Sequence, residues 1–196
     1  PDAKLAGGIR GSGADPTVSY RSPSLIRKSG LTVAVLPFLN LSERPDAGEL
    51  LPIHFVRLLK GAAGIRVLEP GEVRRGLLQT RVTLAGGLSK PFLELVLRST
   101  EADLVLTGTV FRYIEGEGPW TEPEVEFSVQ IFQRSGEDIA WSSRSIGGGD
   151  DGVVFFDVGK KRTACELAAG LVRSTVEKVA EAKVSGPDQP EERELP

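Results

Sequence analysis

One segment of the chain, residues 147–152, has the residue spacing of a chemical motif. It reads Gly-Gly-Gly-Asp-Asp-Gly, which matches the G-x-G-x-x-G pattern that binds a dinucleotide where a strand leads into a helix. No further strand is predicted after it, and Asp150 and Asp151 would repel a pyrophosphate. A calcium site made of Asp150, Asp151 and Asp157 lacks the alternating ligand spacing of known calcium loops. We therefore interpret the segment as a loop that leaves a strand.

The single histidine and the single cysteine are the other residues that could act in catalysis or bind a metal. His54 lies in a predicted apolar helix and Cys165 in an alanine-rich one, and neither has a second metal ligand or a base near it in sequence. Glu124 and Glu126 alternate with apolar residues along a strand, which is typical of a solvated face. We therefore predict no catalytic residue, no metal ion and no cofactor, and a protein that is not an enzyme.

Composition narrows the class of partner. The chain has 196 residues, with 24 Lys and Arg against 27 Asp and Glu, so its net charge is −3. A protein that binds nucleic acid usually has a basic excess or a basic stripe, and neither is visible here. No stretch of sequence approaches the ~20 apolar residues of a membrane span. Nucleic acid is therefore not a predicted partner.

The apolar pattern predicts the elements of a single folded domain. Residues 31–36 form an apolar run that Pro37 ends, which is typical of a buried strand. Apolar residues at helical spacing then predict three helices, and a short strand follows the first of them. The pattern ends with three longer strands and a final helix. In the second of these strands apolar and polar residues alternate cleanly. The predicted helices cover residues 47–59, 72–80, 89–100 and about 164–179, and the predicted strands cover residues 31–36, 65–68, 103–114, 124–132 and 138–146.

These elements predict an α/β (α+β) fold with one mixed sheet of about five strands and helices packed on it. The first three strands should be parallel and the last three an antiparallel meander, an arrangement like that of an anticodon-binding domain. Residues 1–30, with many glycines, serines and prolines, are predicted to be a flexible N-terminal arm. Residues 31–183 should form the α/β domain, and residues 184–196 a disordered acidic tail.

Several segments together resemble a known group of bacterial envelope lipoproteins. They are Val-Ala-Val-Leu-Pro-Phe at 33–38, Asp-Leu-Val-Leu-Thr-Gly-Thr-Val at 103–110, Ile-Ala-Trp-Ser at 139–142 and Val-Phe-Phe-Asp-Val-Gly at 154–159. The group contains proteins built like the periplasmic part of the curli secretion channel, the Pel polysaccharide export lipoprotein and the N-terminal domain of TolB. The resemblance covers about residues 31–182.

The resemblance implies a non-enzymatic accessory lipoprotein in the periplasm, at the inner face of the outer membrane. Such a protein would serve an export or envelope-assembly machine, bind other envelope proteins, and form homo-oligomers, in some members rings. Cys165 is internal, so the lipidated cysteine is expected upstream of Pro1. Two alternatives stay open: an activator that docks on a peptidoglycan synthase, and a periplasmic module that binds a small ligand.

The connection between two of the predicted meander strands is the candidate contact. Trp120 lies in residues 115–123, a connection longer than a hairpin needs, with Pro119 and Pro123 beside it. The indole either folds back on the sheet or anchors the protein to a partner or a membrane surface. Trp120, Pro119 and Tyr113 are the residues predicted to make that contact.

Overall fold

The computed structural model describes residues 18–22, 30–80, 89–116, 121–134, 139–150 and 161–184. These residues form one mixed sheet with four helices packed on it, which confirms the predicted fold class. The elements are β1 (Val18–Arg21), β2 (Leu31–Val35), β3 (Leu39–Asn40), α1 (Ala47–Lys60), β4 (Ile65–Val67), α2 (Pro70–Thr80), α3 (Lys90–Ser99), β5 (Leu104–Ile114), β6 (Glu124–Gln133), β7 (Ile139–Gly148) and α4 (Ala164–Val184).

The sheet has the order β1-β7-β6-β5-β2-β4, and β3 pairs with β5 beside that path. Strands β4, β2 and β5 are parallel, while β5, β6 and β7 form the antiparallel meander that alternation predicts. Seven strands are present among the described residues instead of about five. The additional ones, β1 and β3, have four and two residues, too few to show a periodic pattern.

Strand β1 lies within residues 1–30, where the sequence predicts only a flexible arm. It pairs with β7 in an antiparallel register, with Val18 opposite Arg144 and Arg21 opposite Trp141. The next residue, Ser22, donates its N–H to the Ala140 carbonyl at 3.0 Å. Most of the predicted arm, and the tail beyond Val184, lie outside the described residues.

Pro52 lies inside α1, beyond the first turn of the helix. It is the sixth residue of α1, where a missing N–H leaves the Gly48 carbonyl without its helical partner. The Phe38 N–H donates to that carbonyl at 2.9 Å. The lost helical hydrogen bond is thus replaced by one that attaches α1 to the end of the first parallel strand.

Two apolar clusters lie on opposite sides of the sheet. On one side α1 and α4 cover β5, β6 and β7, with Phe38, Phe55, Phe127 and Trp141 buried among them. On the other side α2 and α3 cover only β2 and the start of β5, around Phe92. Trp141 is only 4% exposed, so its side chain belongs to this core. Most of the meander therefore has one face that no helix of the described residues covers.

Candidate interaction surface

The face of the meander that no described helix covers is called the outer face here. Its side chains lie in rows because the strands are in fixed register. One row contains Thr109, Ser128 and Arg144, and the next contains Arg112, Glu126 and Ile146. The rows run across β5, β6 and β7, so β6 is the central strand of this surface.

A bulge in β5 determines which side chains reach the outer face. Val110 pairs with Phe127, but the next pair is Arg112 with Glu126, so Phe111 is an extra residue. Phe111 and Arg112 are both exposed, whereas Tyr113 is buried. A bulge changes the direction of the side chains that follow it. Strict alternation from Leu104 would have placed Tyr113 outside and Arg112 inside.

Five large apolar side chains are grouped at one end of the outer face. Their exposed fractions range from 37% to 60%. Two come from the segment of β3, where Leu39 pairs with Thr109 and the Leu41 N–H donates to the Val110 carbonyl. The others come from the ends of β5 and β7. We call this group the outer-face patch; it consists of Leu39, Leu41, Phe111, Ile114 and Ile146.

The charges beside the patch are already paired. Arg144 Nε donates to Glu126 Oε1 at 2.9 Å, and its guanidinium lies 4.9 Å from the centre of the Phe111 ring. Arg112 and Glu124 form a second ion pair across the strands. Two arginines and two glutamates therefore leave the surface neutral. The prediction that Glu126 is a solvated charge is wrong, because this residue is only 9% exposed.

An apolar group with a neutral charged rim is suited to binding a protein. Contiguous exposed apolar side chains on a folded domain typically mark an interaction site. A surface that attracts nucleic acid or anionic lipid would carry unpaired basic groups instead. No group of three or more His, Cys, Asp or Glu side chains that could hold a metal ion occurs among the described residues.

The fold is shared with solved bacterial proteins. PelC from Paraburkholderia phytofirmans, solved as a dodecamer, superposes with a TM-score of 0.55 at 20% identity, covering 81% of this chain and 93% of PelC. Lipoprotein GNA1162 from Neisseria meningitidis gives a TM-score of 0.53 at 18% identity, covering 78% and 98%. At these identities the similarity shows a common fold. No family model matches the sequence, and no curated protein sequence matches it significantly.

No helix within the described ranges combines the length and the apolar character needed to cross a membrane.

Pro119 and Trp120 lie outside the described residues, so their contact with a partner or membrane stays a prediction. Tyr113 is placed differently from what a contact residue needs. Its ring lies in the core at 5.3 Å from the Arg44 guanidinium, and burial, with the charges of Cys165 and Glu115, raises the pKa of Tyr113 to about 12. Its role is therefore structural.

Part of the glycine-rich segment at residues 147–152, which is predicted to be a loop, belongs to a strand. Gly147 and Gly148 are the last residues of β7, and only the residues after them can form a loop. A Cβ on Gly147 would lie 3.1 Å from Leu167 and 3.2 Å from Leu171 of α4. This glycine therefore allows α4 to pack closely on the sheet. Asp151, Gly152 and Asp157 lie outside the described residues.

Glu115 joins three elements at the end of the sheet. One carboxylate oxygen accepts a hydrogen bond from the Arg44 guanidinium, and the other accepts the Ala164 N–H of the first turn of α4 at 3.0 Å. A carboxylate at a helix N-terminus also interacts favourably with the helix dipole. The sequence pattern cannot identify this junction, because Arg44 is 71 residues and Ala164 is 49 residues from Glu115.

We expect Glu115→Ala to lower the free energy of unfolding by about 1–2 kcal/mol, the usual effect of losing a helix cap. Denaturant titration measures it. Glu94→Ala, which removes an exposed carboxylate from α3, is the control and should change stability by less than about 0.5 kcal/mol. Equal effects of the two substitutions would show that the junction contributes nothing.

His54 and Cys165 are neighbours in space although the sequence separates them widely. The Cys165 Sγ lies 3.8 Å from His54 Nε2. This contact connects α1 with the start of α4. Burial, and then the charge of Arg57, lower the pKa of His54 from its ordinary value of 6.5. The two residues are 111 positions apart, so the sequence does not reveal this contact, and two ligands do not make a metal site.

The lowered pKa of His54 predicts a pH-dependent stability. Below pH 6.5 the unfolded chain takes up a proton on His54 more readily than the folded chain does. The free energy of unfolding should therefore fall as the pH drops through 6.5 towards the folded pKa, and His54 should have no effect above pH 8. The difference between the chain and its His54→Gln variant, measured by denaturation from pH 8 to 5, isolates this contribution. A difference independent of pH would contradict it.

Proposed function

We propose that this chain is a non-enzymatic accessory lipoprotein of the bacterial envelope that acts by binding proteins, its own copies among them. The observation that carries the proposal is the outer-face patch, a neutral apolar surface on a sheet that the described helices leave open. The fold shared with PelC and lipoprotein GNA1162 supports the class of protein. The dodecamer formed by PelC supports self-assembly.

The cellular place follows from the same proposal. The protein would lie in the periplasm at the inner face of the outer membrane, held by a lipidated cysteine upstream of Pro1. The full-length gene product, expressed with an epitope tag in its own bacterium, should incorporate a labelled fatty acid and sediment with outer membranes. Replacing the upstream cysteine with serine should abolish both. A wild-type product that takes up no label and stays in the cytoplasmic fraction would overturn the proposal.

The protein would serve an export or envelope-assembly machine. The alternative partner is a peptidoglycan synthase, which the protein would activate. A photoreactive amino acid at Phe111 in living cells would distinguish them, because this side chain is in the outer-face patch. Leu95 on α3 is the control position, since its exposure of 40% is close to the 37% of Phe111. Crosslinks from position 111 to export components or to copies of the chain support export; crosslinks to a synthase support activation.

A further inference from the structure

In the part of the chain that the structure describes, the exposed apolar side chains outside the outer face do not form a second patch. Among the described residues, Ile53, Leu78 and Leu95 are the large exposed apolar side chains of the helices, and each lies on a different one. A head-to-tail contact joins two different surfaces of the same molecule, whereas a two-fold contact joins one surface to itself. Among the described residues there is one such patch, so a contact that buries apolar side chains of these residues on both copies pairs the patch with its own counterpart.

The charge pattern permits this self-contact. A surface with charge of one sign would repel a second copy. Here each glutamate is neutralised by an arginine of the same copy, Glu126 by Arg144 and Glu124 by Arg112. Burying the surface therefore leaves no unpaired charge, which would be the main electrostatic cost.

The row geometry indicates how two copies fit. Phe111 and Ile146 lie on opposite sides of the central strand β6. A two-fold axis that runs along β6, between two stacked sheets, brings Phe111 of one copy over Ile146 of the other. Sheets packed face to face lie about 10 Å apart, which suits the short side chains of Thr109 and Ser128 at the centre.

We infer that the outer-face patch binds the same patch of a second copy of this chain, sheet against sheet across a two-fold axis along β6. The inference deepens the proposed function and rests on its self-assembly. It specifies a contact in which residues on the outer face of β6 meet their own counterparts. Ser128 and Gln130 are such residues.

The test uses single cysteines in a Cys165→Ser background, because Cys165 is exposed and would react itself. Ser128→Cys is nearly isosteric, and Gln130→Cys is a second variant should the first fail to fold. Leu78→Cys, on α2 and 69% exposed, is the control. Each purified variant is treated with a short reagent that joins two thiols, and the products are separated by mass.

We expect covalent dimers from Ser128→Cys and Gln130→Cys, and at least tenfold less from Leu78→Cys. Two folded β6 variants that give no dimer would overturn the inference. If these variants still assemble, as shown by light scattering, the contact is head-to-tail and the proposed function stands without the two-fold axis. If they are monomeric, self-assembly fails as well.

Discussion

Gly108→Ala is expected to be among the most destabilising single substitutions in the sheet. A Cβ at this position of β5 would lie 2.1 Å from the Ser128 carbonyl oxygen and 2.7 Å from the Phe38 ring. The carbonyl belongs to the paired strand and cannot move without breaking the register. Overpacking of a core costs typically 1–3 kcal/mol, and we expect about 3 kcal/mol here, measured by denaturant titration.

Gly71→Ala is the matched control for that substitution. Gly71 is in the first turn of α2, and a Cβ there would have no atom within 4 Å. Because alanine is the better helix former, this change should leave stability equal or raise it by up to about 1 kcal/mol. A Gly108→Ala variant as stable as the Gly71→Ala variant would mean that β5 and β6 do not approach as closely as described.

Substitution by alanine should destabilise the protein much more at one of two phenylalanines on neighbouring strands than at the other. Phe127 is fully buried under α1, with its ring edge-on to Phe55 at 6.0 Å between centroids. Phe127→Ala should cost about 3–5 kcal/mol of folding free energy, through lost burial and a cavity. Phe111 is on the outer face against Arg144, and Phe111→Ala should cost only about 0.5–1 kcal/mol.

The comparison of the two variants separates core from interface. Thermal unfolding of Phe111→Ala should remain close to that of the unmodified chain, whereas its self-association should weaken. If Phe111→Ala instead lowered the free energy of unfolding as much as Phe127→Ala does, the Phe111 ring would belong to the core and the outer-face patch would lose its main residue.

The sequence predicts the longer elements well because burial imposes a period on them. The alternation of Val125, Phe127, Val129 and Ile131 identifies β6, and the apolar stripe from Ala164 to Val172 identifies the face of α4 that covers the sheet. The strands β1 and β3 escape prediction since two to four residues cannot show a period.

The candidate surface depends on features that no local pattern contains. The bulge at Phe111 reverses the alternation and moves Tyr113 into the core. Leu39 and Leu41 join the patch only because β3 pairs with β5. Such contacts depend on a bulge and on the order of strands in the sheet, which the period of the apolar residues does not specify.

The most direct test is the molar mass of the purified chain, measured by light scattering, with and without Phe111→Asp. One chain has a mass of 21.0 kDa. The unmodified chain should have a multiple of this mass, and the Phe111→Asp variant should be monomeric with an unchanged circular dichroism spectrum. The substitution replaces an apolar ring with a carboxylate and makes the neutral surface net negative on both copies. An unmodified chain that is monomeric throughout, or a variant that keeps the full assembly, would contradict the assignment of the outer-face patch as the surface through which the protein assembles.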